Sequence, residues 1–309
     1  MNSLDFRRVP APKLRKINPK VTIAIGIISK SQHGAMNRPT IFLACDSQTT
    51  GPGAAKSLDA QKLRTVEFAN AEILVAHAGI CDLAESVIEI MQRKAKNTTL
   101  ESEETVTRVA QKSICEVRDH LIAINKECNF SEDAWKRFFR DENQLVLLLG
   151  FYFDRKPYLY TIDNDFCLPI RATKPYKAIG IGGPMGEMFL REKNQADPGF
   201  EFGWQISISV IEKVIENMDG CGRPTWVAMT YPMPEVIAKR YETEGRPYKQ
   251  SYVGFFDRSE IDLLASELKV EEANDAVHQK PKMLELLKRF SAKQLEECQK
   301  IVNKEFGIQ

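Results

Sequence analysis

The chain has little histidine, no long apolar run and almost no net charge. Its 4 histidines stand at positions 33, 77, 120 and 278 of 309, dispersed without metal-ligand spacing, so no metal site and no cofactor is expected. Lys and Arg number 43 against 42 Asp and Glu, a net charge of +1, and no field of one sign points to nucleic acid or a membrane surface. No apolar stretch reaches transmembrane length, and residues 1–20 lack the apolar core of a signal peptide. The seven cysteines (45, 81, 115, 128, 167, 221, 298) are odd in number and include no C-x-x-C pair. They read as reduced thiols of a cytoplasmic protein, not as a disulfide framework. A chain of this length can bury one large core, or one domain with a helical appendage.

What is present concentrates in residues 21–62. Residues 21–28 alternate as a strand, with Val21, Ile23, Ile25 and Ile27 on one face and Thr22, Ala24 and Gly26 on the other. The second face is small and leaves room beside the Thr22 hydroxyl. After an irregular connection bearing His33-Gly34 and Arg38-Pro39, residues 40–46 form a second strand, and Asp46 falls at its end. A loop through Gly51-Pro52-Gly53 leads to a short strand over 61–68 with Lys62 near its start. A hydroxyl, a carboxylate and an amine thus occur in order.

Farther along, helical apolar spacing covers 79–97 (Leu83, Val87, Ile90, Met91) and 103–126 (Val106, Val109, Ile114, Val117, Leu121). Ser131 begins a capped helix, with Glu132 and Asp133 suited to its dipole. Strands are expected over 144–153, 157–162 and a shorter stretch leading to Ile179, then helices over 183–193 and 203–218, then a strand over 225–229. The run Leu145 to Leu149 is apolar on both faces, which suits a strand inside a layered structure. Periodicity alone gives an α+β fold. Gly180 to Gly186 invites a dinucleotide-loop reading, but the glycine spacing is wrong and Pro184 interrupts it.

The ordered set resembles the proteasome-type N-terminal-nucleophile hydrolases, the family that includes proteasome β subunits. The residues that carry the resemblance are Thr22-Ile23-Ala24-Ile25-Gly26-Ile27, then Ala44-Cys45-Asp46-Ser47-Gln48-Thr49, then Lys62-Leu63. They continue with the strand ending at Gly79, with Ala178-Ile179-Gly180-Ile181-Gly182-Gly183, and with a helix ending at Asp219-Gly220-Cys221-Gly222. Together they span about residues 21–230. The resemblance implies a four-layer αββα sandwich, with 22–230 as the hydrolase-like domain. It also implies a peptide or protein substrate and a homo-oligomer, with a ring as one form. Residues 1–21, rich in Lys, Arg and Pro, read as a basic arm or propeptide, and the charged, helix-prone stretches 260–268 and 281–305 read as part of a helical C-terminal extension over 231–309.

A threonine hydroxyl needs an adjacent base, and a free α-amine on the same residue is one solution. The family mechanism therefore requires Thr22 to be exposed as a new N-terminus. Lys62 would then keep the amine neutral, Asp46 would orient Lys62, the Gly79 backbone N–H would serve as the oxyanion donor, and Asp219 would support the amine. Taken singly, each residue has a plain structural explanation: strand propensity for Thr22, turns for Asp46, Gly79 and Asp219, solvation for Lys62. Val21 stands where self-processing members have glycine, and Ile181 and Gly222 replace family serines. Two functions stay open: a threonine-nucleophile hydrolase of peptide or other amide bonds, and a non-catalytic structural or interaction subunit of the same fold.

Overall fold

The structure, a computed structural model, describes residues 22–30, 39–47, 49–50, 56–57, 62–127, 145–165, 167–200, 203–218, 221–223, 225–233, 235–245, 249–259, 261–263 and 265–266. The basic arm, the expected helix from Ser131, the helix-prone stretch 281–305 and Asp219 lie outside them.

The isoleucine alternation near the start of the chain sets the architecture. Strand β1 (Ala24–Ser29) pairs antiparallel with β2 (Thr40–Asp46) on one side and with β10 (Tyr176–Ile179) on the other. Strand β11 (Thr225–Pro232) continues the sheet beyond β2, and β12 (Ser251–Phe255) closes it, giving the order β10-β1-β2-β11-β12. A second antiparallel sheet holds β5 (Leu63–Phe68), β6 (Ala71–Gly79), β7 (Leu145–Phe153), β8 (Lys156–Asp163) and β9 (Pro169–Arg171), in that order. A two-stranded hairpin of β3 (Thr49–Thr50) and β4 (Lys56–Ser57) sits in the connection from β2 to β5. The chain is thus α+β with two antiparallel sheets.

Three apolar clusters show how these sheets are covered. Ile23, Ile25 and Ile27 pack with Leu190 of α3 (Gly183–Ala196) and with Ile208, Ile211 and Val214 of α4 (Gly203–Asn217). On the far side, Ile73, Val75, Leu147 and Leu149 pack with Val87 and Met91 of α1 (Cys81–Ala95) and with Val106, Ala110 and Ile114 of α2 (Glu103–Glu127). Between the sheets lie the complementary positions, Ala24, Leu43 and Cys45 against Leu74, Ala76, Leu148 and Leu159. Because side chains alternate across a strand, odd residues of β1 face helices and even ones face the other sheet. The order of layers is helices, sheet, sheet, helices.

The small face of β1 is filled from across the sheets. A Cβ placed on Gly26 would lie 2.9 Å from Cδ2 of Leu43, its neighbour on β2, and 3.0 Å from Cδ2 of Leu159 on the opposing sheet. Close packing leaves no slack for an added methyl group there.

The fold continues past residue 230, and its continuation is not only helical. After α5 (Glu235–Thr243), β12 pairs with β11 from Ala228↔Phe255 to Pro232↔Ser251. Residues 258–259, 261–263 and 265–266 are helical, and Ile261 and Ala265, one turn apart, enter the cluster with α3 and α4. Residues 251–255 show only weak alternation, and their pairing partner is supplied by β11, so local pattern did not reveal the strand.

Glu72 fastens this strand across the molecule. Its carboxylate accepts from Lys249 Nζ at 2.6 Å and from the Val253 backbone N–H at 2.9 Å, while its carbonyl accepts from Ser251 Oγ at 2.8 Å. Replacing Glu72 with Ala leaves the Val253 N–H without its carboxylate partner. The expected loss is about 1–3 kcal/mol of stability, read from urea unfolding, with Lys249→Met costing less because it removes a partly exposed amine and leaves the Glu72 carboxylate its Val253 N–H donor.

Candidate functional site

Thr22 comes just before β1 and is 2% exposed. Its carbonyl accepts from the Gly182 backbone N–H at 3.2 Å. Gly180 makes that approach possible: it has φ +87°, and a Cβ there would stand 2.2 Å from the Thr22 oxygen and 3.0 Å from Ala78 Cβ. Only glycine fits, on both conformation and space. The turn after β10, the end of β6 and Thr22, two residues before β1, therefore converge at one point. Gly79, with φ +113°, ends β6 directly before the helix-capping residue Ile80.

Asp46, at the end of β2, is fully buried and bonded on both oxygens. Oδ1 accepts from Lys62 Nζ at 2.7 Å and from the Ile23 backbone N–H at 3.1 Å, and Oδ2 accepts from the Gly222 N–H at 3.3 Å. Lys62, just before β5, is also 0% exposed. The antiparallel register of β1 and β2 accounts for the Ile23 contact: Ala24 faces Cys45, so Ile23 faces Asp46, whose own N–H donates to the Ile23 carbonyl at 3.2 Å. Lys62 is thus anchored, through Asp46, to the residue after Thr22.

Electrostatics here are governed by burial. Desolvation pushes the Asp46 carboxyl up, opposed by Lys62 and by the two backbone donors. Burial likewise pushes up the thiols of Cys45 and Cys221, the latter to about 12, so neither is a ready nucleophile. His77, whose backbone N–H donates to the Lys62 carbonyl at 3.2 Å, has a buried Nδ1 with no hydrogen-bond partner among the described residues. Desolvation first, then the charges of Lys62 and Arg64, hold its imidazole down at about 3.

The structure therefore gathers Thr22, Asp46 and Lys62 with the Gly180–Gly182 turn, and brings the β6 end that carries Gly79 close by. Sequence reasoning missed the partners that hold Asp46, since backbone N–H groups leave no signature in residue type. It also missed Glu212 on α4, a buried carboxylate that accepts from Thr225 Oγ1 at 3.0 Å and from Arg223, residues that follow Gly222 into β11. Its one signal was an acid in the largely apolar stretch 206–215, which otherwise departs from apolar residues only at Ser207, Ser209 and Lys213. Among the described residues no group of three or more His, Cys, Asp and Glu side chains is placed to hold a metal, and no helix is long and apolar enough to cross a membrane.

No protein-family model matches the chain, and no curated protein matches it either. Solved structures do match. Anbu (ancestral beta-subunit) from Yersinia bercovieri superposes with a TM-score of 0.56 at 17% identity, covering 82% of this chain and 95% of that one. The fold is the Anbu fold. The helical assembly of the Anbu complex from Pseudomonas aeruginosa gives a TM-score of 0.57 at 16% identity, over 82% and 95% of the two chains. A mutant Anbu (Gly-1) from Hyphomicrobium sp. strain MC1 gives 0.54 at 14%, over 84% and 98%. The Anbu likeness therefore runs nearly the whole length of those chains.

The buried pair and the buried imidazole each carry a test. Replacing Lys62 with Met strands a buried carboxylate and should cost about 3–5 kcal/mol, whereas Lys62→Met with Asp46→Asn should cost less than the sum of the single changes. A double-mutant cycle by chemical denaturation measures the difference. A fold that holds His77 neutral binds fewer protons than the unfolded chain between the ordinary value of 6.5 and about 3. That contribution to stability is therefore complete above the window and is lost as pH falls through it. His77→Gln should lose less stability than the parent between about pH 7 and pH 4, by a few kcal/mol at most, as followed by urea midpoints.

Proposed function

We infer that this chain is a threonine-nucleophile hydrolase of peptide or other amide bonds, of the proteasome type, that works once residues 1–21 have been removed. One observation carries the inference: the fully buried Lys62–Asp46 pair at 2.7 Å, locked to the backbone of the residue after Thr22. A buried ion pair is seldom a better source of stability than apolar packing, so its retention beside a threonine favours a chemical task. The likeness to Anbu structures, over 82% of this chain, supports the fold that this chemistry uses.

In the proposed reaction the freed Thr22 amine takes the proton from Oγ1, and Oγ1 attacks the amide carbon. Lys62, as a cation, favours the neutral amine and lowers the cost of the developing alkoxide, and Asp46 fixes its position. The Gly79 N–H is the proposed donor to the oxyanion, a contribution of about 3 kcal/mol where the geometry is met. The nitrogen then leaves with the proton held by the amine, and water releases the acyl group from Thr22.

The second function, a non-catalytic subunit of the same fold, is favoured by Thr22 itself, which is 2% exposed with 21 residues ahead of it. The Pseudomonas aeruginosa neighbour is described as a helical assembly, and self-association of this chain is proposed under either function.

Intact mass of the purified full chain beside Thr22→Ala decides between them, paired with cleavage of a mixed peptide pool and a native mass. For the hydrolase, a species beginning at Thr22 accompanies cleavage, and Thr22→Ala lowers cleavage by about a thousandfold or more at unchanged native mass. Cleavage that survives Thr22→Ala removes Thr22 from the mechanism. An uncut chain that cleaves nothing even when prepared to begin at Thr22, yet assembles, establishes the structural subunit.

A further inference from the structure

Two cysteines far apart in sequence meet at one arginine, away from Thr22. Cys115 lies on α2, partly exposed, at the margin of the cluster under α1 and α2. Cys167, 3% exposed, belongs to the same cluster from the connection between β8 and β9. Arg118, one helical turn beyond Cys115, donates Nη2 to the Cys115 sulfur and Nη1 to the Cys167 sulfur, each at 3.7 Å. Cys167 also donates weakly to the Asn164 carbonyl at 3.9 Å. Cys167 takes φ +54°, a left-handed backbone uncommon for a residue with a side chain, which its surroundings hold in place.

Cys115 also lines an open groove of about 520 Å³ between α1 and α2. Lys94, Arg108 and Lys112 share that groove with Glu116 and Asp119, an excess of one positive charge. One thiol thus faces an approachable basic groove while the other waits behind it in the core.

We propose that Cys115 and Cys167 form a reversible dithiol–disulfide modification site whose co-substrate is a small anionic disulfide of the glutathione kind. Cys115, as thiolate, attacks one sulfur of that disulfide. The small S–S bond breaks, one small thiolate departs, and a mixed disulfide forms on Cys115. Cys167, whose thiol is pushed up by burial to about 11, passes its proton to the small thiolate that has just departed beside Arg118 and displaces the second small thiol, closing a Cys115–Cys167 bond. The protein loses two electrons and two protons, and the small disulfide is reduced to two thiols. The Arg118 guanidinium faces both sulfurs and offsets the negative charge that passes from one to the other. Exposure assigns the order: Cys115 attacks from the groove, and buried Cys167 resolves.

The experiment treats the reduced full-length protein with glutathione disulfide, blocks remaining thiols by alkylation, and reads intact mass and a peptide map. The expected result is a loss of two hydrogens with Cys115 and Cys167 joined, formed about tenfold faster than any adduct on half-buried Cys81. Cys167→Ser should stop at one glutathionyl group on Cys115, and Cys115→Ser should give neither product. The wild-type map reads the pair directly, so the outcome does not hang on either variant folding. If Cys115 and Cys167 are both recovered alkylated, or the bond joins other cysteines, Cys128 and Cys298 included, the proposal is overturned. The reaction should proceed unchanged in Thr22→Ala, so it succeeds or fails independently of the hydrolase.

Discussion

The contact on which the rest of the site depends is the one between Asp46 and Lys62. Two charged groups with no exposed surface, 2.7 Å apart, are stable only while every remaining polar position around them is occupied. Asp46 meets that demand with backbone donors from Ile23 and Gly222, so it ties the start of β1, the end of β2 and the turn before β11 into one joint. Gly222 in turn accepts from the Ser47 N–H at 3.2 Å, which doubles the link. Thr22 inherits its position from this joint and from the Gly180–Gly182 turn.

The layered fold serves that joint. The sheet order β10-β1-β2-β11-β12 puts β1 and β2 next to each other and sets β10 and β11 on their flanks, so turns from three parts of the chain reach the same end. Helices α3 and α4 seal the face carrying Ile23, Ile25 and Ile27, while the opposing sheet seals the face carrying Ala24 and Gly26. Water is excluded on both sides, and this exclusion makes the Lys62–Asp46 interaction strong and His77 hard to protonate. The chemistry proposed at Thr22 and the thiol exchange proposed at Cys115 and Cys167 would occupy different layers: Thr22 lies beside the inter-sheet space, and the two cysteines lie under the helices α1 and α2.

How much of this was legible depended on the range of the interaction. The first strand was readable from its isoleucine period, and α1 and α2 from theirs, because a half-buried element writes its buried face into local spacing. The set Thr22, Asp46 and Lys62 was legible only as an ordered resemblance, since each residue alone has an ordinary structural use. Glu212 and His77 were not legible as neighbours of the site. One acid in an apolar helix and one histidine in a strand say nothing of what they face.

The sequence by itself determined the alternation of β1, the apolar run of β7, the helices that cover the sheets, and the presence of a hydroxyl, a carboxylate and an amine in one early stretch. Tertiary structure decided that Asp46 meets a backbone N–H 176 residues away, that β12 belongs to the sheet after residue 230, and that Cys115 and Cys167 share Arg118. The reason is physical. Side-chain period is a property of neighbours along the chain, whereas sheet order and the donors that satisfy a buried charge are fixed only when distant segments pack together.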